Sequence, residues 1–383
     1  MKSVMERILS NIGLENIIET LSSKNIDWAD FHTLLLCIFE NRIHNINPAD
    51  IMKNYKENRF SATADIDQKE LLEIDRMLYR ALPGYFSAIE LSPVSVMGAN
   101  SALTPLDPKI TLSTIRNLEV VSDPSMALSI ECAHKRRLLR ATKENTEIHL
   151  ATSHRVLRLQ KFLEDSNLTT HFRAFALASA ARDTAGFNSF ELFSISAHIE
   201  TWLDFLIRSF DSGYKVEDIS VAISDIRIIE KVVLNSRINR EELIRKSKNR
   251  TFSPFKTYSI NLPDEIDSAG DIAITALEFE TYIRELQFTE KQIINSLRKK
   301  YPMVRFYFDL KRCSGIGYYS GICYRVAGRN SAGNQYSLAG GGACDWTKKL
   351  LQSKREHLIA SGFGTEFFSK LFGHNRSHNP SHK

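Results

Sequence analysis

A chain of 383 residues, 43% hydrophobic and 25% charged, has ordinary globular composition and length enough for two or three units. This excludes a disordered chain, a collagen-like chain and a disulfide-stapled mini-protein. A net charge of +5 over that length does not by itself indicate a nucleic-acid partner. Glu6 and Asn11 interrupt the N-terminus, so no secretory leader is read there. The longest apolar stretch nearby, 34–39, is far short of the ~20 residues of a membrane span. The five cysteines Cys37, Cys132, Cys313, Cys323 and Cys344 include no Cys-x-x-Cys pair. They point to a reduced, cytoplasmic protein with no metal site and no membrane association.

Residues 1–80 read as helices. Ile8, Ile12 and Leu14, then Phe31, Leu34, Leu35 and Ile38, fall near helical spacing, and Pro48 suits a first helical turn. An amphipathic helix is predicted over 69–82, with Leu71, Leu72, Ile74, Met77, Leu78 and Leu82 on its apolar side and Pro83-Gly84 as its stop. From Tyr85, the alternation of Phe86, Ile89 and Leu91 with small or polar residues predicts a strand ended by Pro93, and 118–124 a second strand and turn. Residues 125–140 read as a helix. Its basic end, Lys135-Arg136-Arg137 and Arg140, is read as dipole complementation and solvation rather than an RNA contact. Helix is expected over 153–163 and strand over 171–177. A polar loop over 181–186 and a returning strand over 187–193 complete a long-looped hairpin.

A helix over 196–211 and a strand over 216–223 follow. The basic stretch 237–256 reads as a solvated connection between subdomains, and 279–298 as helix. The last third is glycine-rich. Strands over 305–310 and 321–326 are expected to pair antiparallel, a further strand over 336–340 precedes a Gly340-Gly341-Gly342 turn, and 346–358 looks helical. His374, His378 and His382 recur every four residues, but Pro380 and the Asn and Ser around them favour a flexible tail over a metal site.

No Walker A loop, His-Glu-x-x-His or Gly-x-Ser-x-Gly elbow is present. In the run from Gly315 to Gly321 the third glycine stands one place late for a dinucleotide loop, and β-like residues follow it. Arg173, on a strand beside Phe172 and Phe175, is suited to a phosphate or carboxylate, with a sheet-edge salt bridge as the alternative. Tyr318 and Tyr319, between small residues on an expected strand, either line a pocket or pack as ordinary β aromatics. The residues alone describe a mixed α+β protein with a Gly-rich antiparallel sheet.

In order, several segments resemble the catalytic core of class II aminoacyl-tRNA synthetases, closest to histidyl-tRNA synthetase and its paralogues. The helix over 69–82 and the strand ending at Pro93 are similar to motif 1, which implies a homodimer through that helix and strand. Val120-Val121-Ser122-Asp123-Pro124-Ser125 resembles Leu-Arg-Pro-Glu-Gly-Thr, which implies amino-acid contacts for Asp123 and Ser125. Phe172-Arg173-Ala174-Phe175 resembles the start of motif 2. Arg173 would then be the catalytic and nucleotide-binding arginine, with Arg182 in a loop closing over ATP. The run 314–321 resembles the histidine-specific Arg-Gly-Leu-Asp-Tyr-Tyr-Thr-Gly, and Gly341-Gly342-Ala343-Cys344-Asp345 the following Gly-Gly-Arg-Tyr-Asp. This gives Tyr318, Tyr319, Gly341 and Gly342 to the amino acid, while Gly362 and Gly364, at motif 3, go to the nucleotide.

The resemblance implies an α+β, class II-type antiparallel sheet flanked by helices. It divides the chain into an N-terminal helical region (1–65), a core (66–370) and a tail (371–383). The departures bear on function. Phe175 stands in place of the motif 2 glutamate, Ser314 and Gly317 in place of an arginine and an aspartate, Ala343 in place of an arginine, and motif 3 lacks its arginine. Each lost charged donor is worth ~10²–10³ in rate. Motif 3 is followed by only nineteen residues, so no anticodon-binding domain is expected and tRNA is not expected as a partner. The expectation is a paralogue that binds an amino acid or nucleotide and serves as a regulatory or partner subunit. The alternative is an enzyme that uses ATP with Mg²⁺ to form an aminoacyl-adenylate for a small molecule or carrier.

Overall fold

In a computed structural model the described residues are 3–373 apart from 15, 24, 105–106, 161–169, 183–188, 248, 250 and 273–276. The His-containing tail lies outside them. α1 (Val4–Ile12) opens on a capping box between Ser3 and Glu6 and closes on left-handed Gly13. α2 (Ile17–Ser22) and α3 (Trp28–Ile43) follow, and α4 (Pro48–Glu57) carries Pro48 in its first turn behind the Asn47 cap. α5 (Gln68–Ala81) is the amphipathic helix expected there. Leu71, Ile74 and Leu78 are buried, but Leu72 is 56% exposed, because successive helical residues lie about 100° apart and Leu71 already faces inward.

The strand expected from Tyr85 contracts to β1 (Ser87–Ala88). Pro93 does not end a strand but precedes β2 (Val94–Val96). After α6 (Ala99–Leu103), β3 (Leu118–Val120) pairs with β2, and α7 (Pro124–Ala141) starts on the next turn. The first five residues of the helix expected over 153–163 are instead the end of β4 (Ile148–Leu157), and 161–163 lie outside the described residues. This strand is buried on nearly every residue, so its sequence lacks the polar–apolar alternation that marks a half-exposed strand.

β5 (His171–Arg182) runs antiparallel to β4. No strand returns at 187–193, because α8 (Ser189–Ser209) begins there and 183–188 lie outside the described residues. The hairpin is therefore β4–β5, and its loop precedes Arg173. β6 (Glu217–Asp225), α9 (Ile226–Asn235), α10 (Arg240–Ser247) and α11 (Pro254–Thr257) come next. The basic stretch 237–256 docks on the core through fully buried Leu243 and Phe255.

β7 (Glu265–Ile266) precedes α12 (Glu280–Thr289), which runs through a π-helical segment (Glu290–Ile294) into α13 (Asn295–Lys300). β8 (Arg305–Asp309), β9 (Ile322–Arg329), β10 (Gln335–Cys344), α14 (Trp346–Leu350), β11 (Glu356–Phe363) and α15 (Thr365–Phe372) complete the chain. β8 and β9 do not pair with each other; they flank β6. The three glycines 340–342 form no turn and lie inside β10. A Cβ on Gly341 would stand 2.4 Å from the Ser361 Cβ, and one on Gly342 2.5 Å from the Cys323 Cβ, so the closeness of the neighbouring strands excludes a side chain. The helix expected over 346–358 stops at Leu350; a turn follows, and its last three residues open β11.

The strands order β1-β4-β5-β11-β10-β9-β6-β8-β7, and the six from β4 to β6 are antiparallel throughout. This is the α+β, antiparallel-core architecture expected from the sequence. β1 and β8 add parallel flanks. No described helix is long and apolar enough to cross a membrane.

Two layers cover the sheet. Phe175 and Leu177 pack with Ile195, Ile199 and Trp202 of α8, whereas Ala176, Ala178 and Ala180 pack with Met126, Leu128 and Cys132 of α7. A polar chain threads the α8 layer. His149 Nδ1 and Ser179 Oγ are 2.8 Å apart, Ser179 Oγ and His198 Nε2 2.9 Å, and His198 Nδ1 and Ser361 Oγ 2.9 Å. Burial holds His198 neutral, down at about 3, and lowers His149 as well.

An unfolded histidine titrates near 6.5, so stability from His198 is complete above that pH and is lost as pH falls toward about 3. Burial raises the Asp75 and Asp309 carboxyls, which act in the opposite sense at lower pH. Urea melts at pH near 7.5 and 5.5 are therefore expected to show about 1.4 kcal/mol more loss in the wild type than in His198→Gln. Equal losses would contradict the neutral buried imidazole.

Candidate functional site

The turn into α7 is fixed by Asp123, its N-cap. Asp123 Oδ1 accepts from Ser125 N at 3.0 Å and from Ser125 Oγ at 2.5 Å. The Tyr318 hydroxyl donates to Asp123 Oδ2 at 2.8 Å and lies 3.1 Å from Ser125 Oγ. Three residues singled out from sequence are thus brought together, nearly 200 positions apart. Burial, with the Asp123 charge beside it, raises the Tyr318 phenol well above its ordinary value, so it stays a donor. Both oxygens of Asp123 are engaged by its own chain.

Tyr318 and Tyr319 stand in a turn rather than on a strand. That turn depends on Gly315, whose φ of +98° suits glycine and whose Cβ would lie 2.6 Å from the Tyr319 ring. The Tyr318 ring packs edge-on against Trp346 at 4.8 Å. The Trp346 indole Nε1 has no hydrogen-bond partner among the described residues.

Arg173 lies elsewhere. Residues two apart on a strand share a face, so Arg173 falls with Phe175 and Leu177, on the side opposite Ala174 and Ala176. Its Nε is 3.0 Å from Asp75 Oδ2 of α5 and donates to Ser153 Oγ at 2.9 Å, and its backbone N–H donates to Glu366 at 3.2 Å. Arg182 ends the same strand, about 30 Å further along it. Gly362 lies across from Ala176 in β11, and Gly364 is the N-cap of α15. Gly341 faces Tyr324 and Ser361 in the α8 layer. Arg173 and Gly364 are therefore near neighbours, with Thr365 Oγ1 donating to Arg173 O at 3.0 Å, while Arg182 stands apart.

Another arginine does reach the Asp123 turn. Arg158, just past β4, donates from Nε to Ser122 O at 2.8 Å, with its guanidinium 5.3 Å from the centre of the Phe172 ring. The sequence signal for it was Leu157-Arg158-Leu159-Gln160, an Arg-x-polar pattern hidden inside a presumed helix.

Beyond Tyr319 opens a cavity of about 480 Å³. Arg227, Arg240 and Lys349 and the acids Glu230 and Asp345 line it with Tyr319. Arg227 is fixed by Asp225 at 2.5 Å and by Glu285. Burial raises the Glu230 carboxyl, with Arg240, 3.7 Å away, opposing. Such a mixed set of donors and acceptors fits a small ligand bearing both charges. Among the described residues no cluster of His, Cys, Asp or Glu is arranged to hold a metal.

No protein-family profile and no curated protein sequence matches the chain. Solved structures do match. An ATP phosphoribosyltransferase regulatory subunit/histidyl-tRNA synthetase from Bacillus halodurans C superposes with a TM-score of 0.60 at 15% identity, covering 83% of each chain. The fold is that of a class II synthetase core. Histidyl-tRNA synthetase from Nostoc sp. PCC 7120 follows at TM-score 0.55 and 13% identity, over 82% of this chain and 74% of that one. The S. aureus histidyl-tRNA synthetase gives 0.51 and 13%, over 80% and 71%. Within this synthetase-like core, the Tyr318–Asp123 bond ties the start of α7 to the turn after β8.

Asp123→Ala removes the cap and strands the Tyr318 hydroxyl. The expected cost in urea unfolding is about 2–4 kcal/mol. Asp123→Asn, which can still cap, should cost less. Equal costs would contradict the Asp123 cap.

Proposed function

We propose that this protein is a synthetase-like binding protein. It takes a small amino-acid-like ligand in the cavity beside Tyr319 and serves as a regulatory or partner subunit. The observation that carries this reading is the state of Asp123: its carboxylate is already satisfied by Ser125 and Tyr318. It therefore offers little to a substrate ammonium. The cavity next to it keeps three cationic and two acidic side chains around an aromatic wall. Positions lacking the phosphate-clamping charges of the family point the same way, since adenylation rests on preorganised donors. One structural neighbour carries "regulatory subunit" in its name, and this supports the subunit role. A homodimer through α5 and β1 is proposed with it.

The second reading, an adenylate-forming enzyme, is favoured by a single observation, the Arg158–Phe172 pair beside the Asp123 turn. The pairing of Arg173 with Asp75 and the remoteness of Arg182 at the far end of β5 weigh against it, and no step through ATP is assigned.

Thermal unfolding with each of the twenty amino acids tests the first reading. A ligand at about a hundred times its Kd stabilises by about 2.7 kcal/mol. One amino acid is expected to raise Tm, and Arg240→Gln to remove most of the shift. No shift with any amino acid would overturn the binding reading, and an undiminished shift in Arg240→Gln would move the ligand out of this cavity.

A further inference from the structure

Basic residues far apart in sequence converge at the C-terminal end of α7. The fully buried Arg136 pairs with Glu356 at 3.1 Å and donates to Thr146 O at 2.9 Å and Asn145 Oδ1 at 3.3 Å. One turn later Arg140 donates to Leu351 O at 3.4 Å. These bonds join the end of α7, the turn at 142–146 and the turn into β11. The register of β5 on β11 sets Arg182 opposite Glu356 and adds the end of β5.

Arg137, Arg140, Lys143, Arg182, Lys354 and Arg355 consequently share one end of the molecule. All are exposed except half-buried Arg182, and none forms an ion pair with a described residue. Glu131 is taken by Lys135 at 3.3 Å, which leaves Glu144 as an exposed acid in the same turn. Elsewhere the chain pairs its arginines freely, as with Arg284–Glu280 and Arg329–Asp218. Here six cations gather around a buried ion pair and have no ion-pair partner among the described residues.

The composition of the patch selects its partner. Four of the six are arginines, whose planar forks match phosphate oxygens. The exposed apolar side chains in these segments are single leucines, Leu138 and Leu350, too few for the apolar centre of a protein interface. No exposed aromatic in them offers a stacking platform for unpaired bases. What remains is recognition of a regular phosphate backbone. We propose that this end of α7, with the β5 end and the β11 turn, is a docking surface for a nucleic-acid duplex, bound through its backbone without sequence readout. The proposal is independent of the ligand cavity.

The test is fluorescence anisotropy of the full chain with a labelled RNA duplex of about 20 base pairs, titrated from about 50 to 200 mM salt. With four to six phosphates engaged, the slope of log K against log salt is expected at about −4 to −5, and a DNA duplex should give a similar slope. Arg137→Gln/Arg355→Gln, both exposed, should reduce the slope by about 2 and leave Tm unchanged. Lys291→Gln/Lys299→Gln, exposed on the π-helical segment and α13, should leave the slope unaltered. No salt-dependent binding, a slope untouched by the Arg137/Arg355 variant, or preferential binding of poly-glutamate over the duplex would each overturn the proposal.

Discussion

The two-residue period of β5 governs the arrangement of this molecule. Ala174, Ala176, Ala178 and Ala180 present methyl groups to one side, and this lets α7 sit directly on the sheet. Arg173, Phe175, Leu177 and Ser179 point the other way, toward α5 and α8. A residue's role then follows from its parity. Arg173 becomes one end of an ion pair with Asp75, and burial outweighs that arginine in setting the raised Asp75 carboxyl. The face that carries Asp123 and Tyr318 receives no charge from β5 until Arg182, far along the strand.

Small residues on the α7 side have a second consequence. With α7 close to the sheet, its N-cap meets the turn that follows β8, and Tyr318 closes on Asp123. The same closeness lets the buried Arg136 reach Glu356 across to β11, both side chains being fully buried. Breaking such a pair by deleting one partner typically costs about 3–5 kcal/mol, because a buried charge is left alone. One end of α7 thus carries the Asp123–Tyr318 contact, and the other end carries the basic surface. The open cavity lies beside this contact, lined by Tyr319 and by residues of α9, α10 and α14.

The fold class was legible in the sequence, and so were the individual helices with a single apolar stripe, such as α5. Strands buried on both faces were not. β4 has no exposed face to impose alternation, and reading it as helix moved the hairpin loop to the wrong end of β5. The same displacement placed Arg158, which reaches the Asp123 turn, inside an expected helix. β10 was cut short for a related reason: its glycines signal close strand packing against Ser361 and Cys323, a long-range fact that resembles a turn locally. The Asp123, Ser125 and Tyr318 positions were legible because cap and turn chemistry is local, although their mutual hydrogen bonds were not. Arg136 read as a solvated helix end because nothing nearby in sequence announces Glu356.

We propose that the class II-type fold persists here without adenylation, with Asp123 already engaged by Ser125 and Tyr318. Amino-acid-dependent ATP–pyrophosphate exchange tests this most directly, run across the twenty amino acids on protein verified as folded. The account predicts no exchange above the ATP-only control with any of them. Exchange with one amino acid, abolished by Arg158→Ala, would contradict it and make the protein an activating enzyme.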